Sequence, residues 1–244
     1  AVSRVLRGGD YLKVERSLAV CDALQSRLSL DEAQLRKIVT VLPQVLGYSF
    51  ESNIVPSLAA LQERLSLSDD QLQRLIVRAP QVLGLNFHTN IAPSLAALQE
   101  RLSLDSDQLR KVVVRFPAVI CLSFGSNISP SIAALQERLS LSEEQVRKVV
   151  MAHPSILSLS FESNVVPKLN FLQEELGLSG DALRDLVVKK SNLLTYSIEK
   201  RYMPRLKACR SMGVQDALVL SRITQSNERF YESIGAPLPS AMLS

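Results

Sequence analysis

Four cations stand in register along the chain: Lys37, Arg74, Lys111 and Lys148 recur every 37 residues. Arg78 and Arg115 follow Arg74 and Lys111 by four positions, and Lys189 returns after Asp185 breaks the column. Residues four apart share one face of a helix, so the spacing predicts a basic stripe repeated from one structural unit to the next. Such a stripe offers contact with phosphates, each Lys or Arg displacing a counterion from a nucleic-acid backbone. Beside it runs a second column, Arg36, Arg110, Arg147 and Arg184. Toward the C-terminus Lys189, Lys190, Lys200, Arg201, Arg205, Lys207 and Arg210 stand against Glu199 and form a local basic patch. The competing reading is a solvent-facing helix side filled with good helix formers. Alignment in columns and the basic C-terminal stretch favour phosphate, with Lys37, Arg74, Arg78, Lys111, Arg115, Lys148, Lys189, Arg201 and Arg205 as the candidate contacts.

Other chemistries find no support in the residues. There is no Gly-rich phosphate loop, no G-x-S-x-G elbow and no nucleophile–base–acid constellation, so the chain reads as a binding protein and not an enzyme. His88 and His153 are isolated from each other and from any Cys or carboxylate cluster, so no metal and no cofactor is expected. Cys21, Cys121 and Cys209 are odd in number and far apart, which fits neither a disulfide framework nor a zinc site. Phe50, Phe87, Phe124 and Phe161 occupy one column and read as core, leaving Tyr196, Tyr202 and Tyr231 as the only base-stacking candidates. The recurring pairs Glu63/Arg64, Glu100/Arg101 and Glu137/Arg138 are neutral and read as a solvated outer face.

The elements that must carry the columns follow from the repeat itself. PSLAALQERLSL at Pro56–Leu67 returns at Pro93–Leu104, and PSIAALQERLSL follows at Pro130–Leu141. Prolines keep register at Pro43, Pro80, Pro117 and Pro154 and again at Pro56, Pro93, Pro130, Pro167 and Pro204, which breaks each unit into short helices. Capping boxes at Asp31/Gln34, Ser68/Gln71, Asp105/Gln108 and Ser142/Gln145 open a first helix, and Leu72, Leu75, Ile76 and Ala79 give its apolar stripe. Pro80 ends it, and PQVLGLNF reads as a single helical or 3-10 turn that plugs the core. A second helix follows, with Ser52, Ser126 or Ser163 as its N-cap, an early proline, and Leu58, Leu61 and Leu65 as its stripe. No such unit buries its apolar face alone. The predicted fold is therefore an all-α helical-repeat solenoid of about five units whose concave surface is the place for function. Its expected divisions are a degenerate half-unit or cap over 1–30, the repeat array over 31–215, and a C-terminal cap and tail over 216–244.

Bulk composition sets looser bounds. A chain of 244 residues, 46% hydrophobic, buries a sizeable core, and a net charge of +4 leans toward an anionic partner. No apolar run reaches the roughly 20 residues of a membrane-spanning helix, so no membrane partner is expected and the protein reads as a soluble monomer. Arg4, Arg7, Lys13 and Arg16 are interleaved with Asp10 and Glu15, which argues against an organelle transit peptide within the chain.

The recurring Pro-x-[IVL]-[LI] element (PQVL at Pro43 and Pro80, PAVI at Pro117, PSIL at Pro154), followed by a proline and a closing Leu-x-Leu, resembles the mitochondrial transcription termination factor (mTERF) family. PKLNFLQEELGL from Pro167 and the stretch from Tyr196 to Leu206 are similar to the family's later motifs, and the resemblance spans roughly residues 19–232. Ser191 departs from it by replacing the first proline of the fifth unit. The resemblance implies units of two α-helices and a 3-10 helix, wound into a left-handed superhelix that binds double-stranded nucleic acid along a basic inner groove. It implies a role in transcription termination or regulation of gene expression in an organelle, mitochondrion or chloroplast. RNA binding by the same groove, or a helical adaptor that binds a protein partner, are the alternatives.

Overall fold

A computed structural model describes residues 8–239, with side chains from residue 14 onward. Arg4 and Arg7, and the side chains of Asp10 and Lys13, lie outside the described residues. Among the described residues the chain is helical throughout its regular structure and contains no strand. It divides into two compact units, an N-terminal unit ending at Pro130 and a C-terminal unit starting at Ser131. No helix among the described residues is long and apolar enough to cross a membrane.

The N-terminal unit opens on α1 (Gly8–Leu28) and α2 (Glu32–Val41), continues through α3 (Val55–Arg64), α4 (Asp69–Arg78), α5 (Ala92–Arg101) and α6 (Ser106–Arg115), and ends as α7 (Ser129–Leu139) begins. The C-terminal unit holds the rest of α7, then α8 (Glu143–Ala152), α9 (Val166–Leu176), α10 (Gly180–Lys189), α11 (Met203–Ser211), α12 (Ala217–Ser221) and α13 (Asn227–Ser233). Each of α2, α4, α6 and α8 starts on the predicted capping box, with both reciprocal hydrogen bonds formed. Each stops before the proline in register, and Pro43–Gly47, Pro80–Gly84, Pro117–Cys121 and Pro154–Ser158 are 3-10 turns, as the sequence predicts.

The cap ahead of the second helix lies three residues earlier than expected. Ser49, Ser123 and Ser160 are its caps, accepting the backbone N–H of Ser52, Ser126 and Ser163, the residues that the sequence points to as caps. A wide turn with i→i−5 hydrogen bonding intervenes, Phe50–Ile54 in the first instance, where the N–H of Ile54 reaches Ser49 O at 3.3 Å. Proline explains the widening. In ordinary α geometry the ring of Pro56 meets the carbonyl of residue 52 and supplies no N–H to it, and a wider turn relieves both problems.

Leu-Ser-Leu closes each repeat through a left-handed residue. Ser29, Ser66, Ser103 and Ser140 have φ of 49°, 47°, 48° and 49°. Leu67 N–H then reaches back to Gln62 O and Ser66 N–H to Glu63 O, the paired bonds of a Schellman motif. Gly177 takes the same position with φ 60°.

In the N-terminal unit α2 packs on α4, and α3 on the turn Phe87–Ile91 of the next repeat. The predicted stripe is buried: Leu72, Leu75, Ile76 and Ala79 on one helix, Leu58, Leu61 and Leu65 on the other. Of the phenylalanine column only Phe87 is fully buried, while Phe50, Phe124 and Phe161 are half-buried at the start of the wide turns. Ser191, the departure from proline, is buried because its Oγ lies 2.7 Å from His153 Nδ1. A polar residue is tolerated there because a partner meets it.

Candidate nucleic-acid interface

The first helix of each repeat presents its cations at the same turn, since the capping box fixes where the helix begins and the proline where it ends. Lys37 on α2, Arg74 on α4, Lys111 on α6, Lys148 on α8 and Lys189 on α10 are all exposed. Among the described residues no hydrogen bond or ion pair holds any of these five.

The neighbouring column behaves differently. Arg36 pairs with Glu32 at 2.9 Å, Arg110 with Asp107 at 2.9 Å and Arg184 with Asp181 at 3.0 Å, each one turn back on its own helix. Acidic residues collect in the first turn of these helices, where the helix dipole favours them, and they neutralise the column within reach. The five exposed cations are beyond them.

Arg78 and Arg115 extend the column by a turn, and both are exposed. Arg78 is committed inside the unit. Its Nη1 donates to Val114 O at 3.0 Å and its Nη2 to Arg115 O at 2.8 Å, closing the C-terminal carbonyls of α6 in the next repeat.

The C-terminal patch is largely spent on internal contacts, contrary to its reading from sequence. Arg205 is fully buried; its Nη1 donates to Arg222 O and Ile223 O, and its Nη2 to Gln225 O and Asn227 Oδ1. Its guanidinium lies 4.4 Å from the centroid of Phe230, and burial brings its pKa down to about 10. Arg201, half-buried, donates to Ile223 O at 2.9 Å and covers the Tyr196 ring at 4.4 Å. Lys190 donates to Leu220 O and Ser221 O, and Arg210 pairs with Glu175 and Asp216. Lys190, Arg201 and Arg205 together cap the carbonyls at the end of α12 and in the turn that follows it. Lys189, Lys200 and Lys207 remain exposed.

The stacking candidates are spent too. Tyr202 and Tyr231 are buried, Tyr202 donating its hydroxyl to Leu193 O at 2.7 Å with its pKa pushed up by desolvation, and Tyr196 carries Arg201 on its face.

Arg64 and Arg138, read from sequence as outer face, join repeats instead, and Arg27 does the same. Arg27 donates to Gln62 at 3.0 Å, Arg64 to Gln99 at 2.6 Å and Arg138 to Gln173 at 2.7 Å, each from one repeat to the next. Their neighbours Glu63, Glu100 and Glu137 are exposed. The sequence carried a signal for this in the invariant Gln of LQER, which has no use on a solvated face.

Among the described residues no group of three or more His, Cys, Asp or Glu is placed to hold a metal ion.

A family model for mTERF matches residues 12–232, nearly the whole described chain. The chain belongs to the mTERF family. In this chain the repeat is a helix, a 3-10 turn, a wide turn and a second helix. Comparison with curated proteins gives no match.

Proposed function

We propose that this mTERF protein binds double-stranded nucleic acid, DNA in the first instance, and acts in transcription termination or regulation in an organelle. The contacts are Lys37, Arg74 and Lys111 in the N-terminal unit and Lys148 and Lys189 in the C-terminal unit, with no catalytic step and no cofactor. One observation carries this reading: of two adjacent cation columns, one is neutralised by acids on its own helices and the other is left exposed without ion pairs. Phosphates spaced along a duplex supply the missing counter-charge, and they position the protein without reading bases. Arg78, Arg201 and Arg205 are left out of the contact set because backbone carbonyls already occupy their donors.

The test is a gel-shift comparison of duplex DNA, single-stranded DNA and RNA across a salt series. Five neutralised phosphates give a slope of log K against log salt of about −4.5 on duplex DNA. Tighter binding to RNA moves the assignment to RNA. Absence of binding to all three, or affinity indifferent to salt, sinks the phosphate reading and leaves the adaptor for a protein partner.

A further inference from the structure

One position of the repeat changes character along the chain: it is Ser57, Ser94 and Ser131, then Lys168, then Arg205. Both late cations turn inward. Lys168 is 6% exposed, donates its Nζ to Asn164 Oδ1 at 2.6 Å and to Leu194 O at 2.7 Å, and has its pKa lowered by burial.

Three repeats earlier, the residues equivalent to Lys168, Asn164 and Leu194 are Ser57, Asn53 and Leu83. These three line a single cavity of about 330 Å³ within the N-terminal unit, together with Tyr48, Pro56 and Phe87. Serine in place of lysine leaves it unfilled by the chain itself. Both acceptors that hold the Lys168 ammonium are repeated there. Asn53 Oδ1 meets only the Ser52 hydroxyl, at 3.4 Å, and no hydrogen bond from outside its own 3-10 turn reaches Leu83 O among the described residues.

The aromatic wall has a precedent of its own. Tyr48 lies against Gly84, where a Cβ would stand 3.0 Å from its hydroxyl, so glycine admits the ring to this position. Its equivalent four repeats on, Tyr196, carries the Arg201 guanidinium 4.4 Å from its centroid. Arg201 in turn is the equivalent of Asn53. In the fourth repeat a chain ammonium thus sits on the equivalents of Asn53 and Leu83, and in the fifth a chain guanidinium covers the equivalent of Tyr48.

We propose that the cavity lined by Tyr48, Asn53, Ser57 and Leu83 is a binding site for a primary alkylammonium group. The ammonium donates to Asn53 Oδ1 and Leu83 O, its charge lies near the face of Tyr48, and a short carbon stem rests on Pro56 and Phe87. The volume lies at the small end of ligand sites, about 300–1,000 Å³, which suits a short diamine or the side chain of a partner's lysine.

The full-length chain is titrated with 1,4-diaminobutane and, separately, with lysine blocked at both backbone ends, following amide NMR shifts. Saturable shifts confined to residues 48–57 and 83–88 are expected from at least one, and the tighter of the two names the source. Tetramethylammonium, which has no N–H to donate, gives none at equal ionic strength. Ser57→Lys fills the site from within, raises Tm and abolishes the shifts. Asn53→Leu, on an exposed turn, weakens amine binding about fivefold, as loss of one hydrogen bond does. Shifts from neither amine, or shifts that persist in Ser57→Lys, overturn the proposal. Neither substitution touches the cation column, so nucleic-acid affinity is unchanged whichever way the titration falls.

Discussion

Arg64 donates its Nη2 to Gln99 Oε1 across 2.6 Å, thirty-five positions further along the chain, and Gln99 passes its own Nε2 to Leu104 O at 3.0 Å. A surface-charge pair in the sequence is therefore a rung between repeats. Arg64→Ala is expected to cost about 1 kcal/mol, the usual net value of one such hydrogen bond, while Glu63→Ala stays within about 0.5 kcal/mol. Thermal unfolding of the two variants checks this, and equal effects contradict the rung.

The left-handed serines carry a conformational cost that glycine does not. Ser66→Gly removes the Cβ clash at φ 47°, worth about 1–2 kcal/mol, and gives back part of it, about 0.5–1 kcal/mol, as unfolded-chain entropy. A net rise in stability is expected, and Ser66→Val, β-branched at positive φ, lowers stability. Denaturant midpoints of both variants read the sign directly. A glycine variant less stable than the parent contradicts the strain.

Arg205 and Lys111 look alike in the sequence and differ in the fold. Arg205→Met leaves Gln225 O without its donor, removes the charged bonds to Arg222 O and Ile223 O, and is expected to cost about 3 kcal/mol, with hydrogen exchange rising first in α11 to α13. Lys111→Met leaves Tm in place and lowers duplex affinity. Should Arg205→Met leave Tm unchanged, its capping role is wrong.

Charge reversal separates the two columns. Lys111→Glu is expected to weaken duplex binding for all sequences alike and to flatten the salt slope by about one unit, whereas Arg110→Glu, already paired with Asp107, changes it far less. Gel shifts at several salt concentrations decide between them. Equal losses for the two variants contradict the choice of column.

Leu98 is 1% exposed in the middle of α5. Leu98→Ala is expected to cost about 2–5 kcal/mol, and in a repeat protein the loss concentrates in α5 and its neighbours α4 and α6. Hydrogen exchange that rises evenly over the whole chain runs against that one-dimensional behaviour.

Local chemistry was legible from the sequence by itself. The capping boxes at Ser68 and Asp105, the helix stops before Pro80 and Pro117 and the leucine stripes all depend on neighbours a few residues away, and spacing alone specifies them. Register was legible too, because a 37-residue repeat places each cation on the same turn of successive helices. Only the tertiary structure decided which cations are available. Arg64, Arg78 and Arg205 are spent on an amide or on carbonyls 17 to 37 positions away, distances that no local pattern encodes. The wide turn before α3 is different, a local effect: Ser52 looks like a cap in sequence, but the ring of Pro56 favours a wide turn and the cap is Ser49. The amine cavity is the clearest tertiary case. Ser57 is an ordinary small residue until Leu83 from the next repeat faces it, and only packing shows that Lys168 fills in one place what serine leaves open in another.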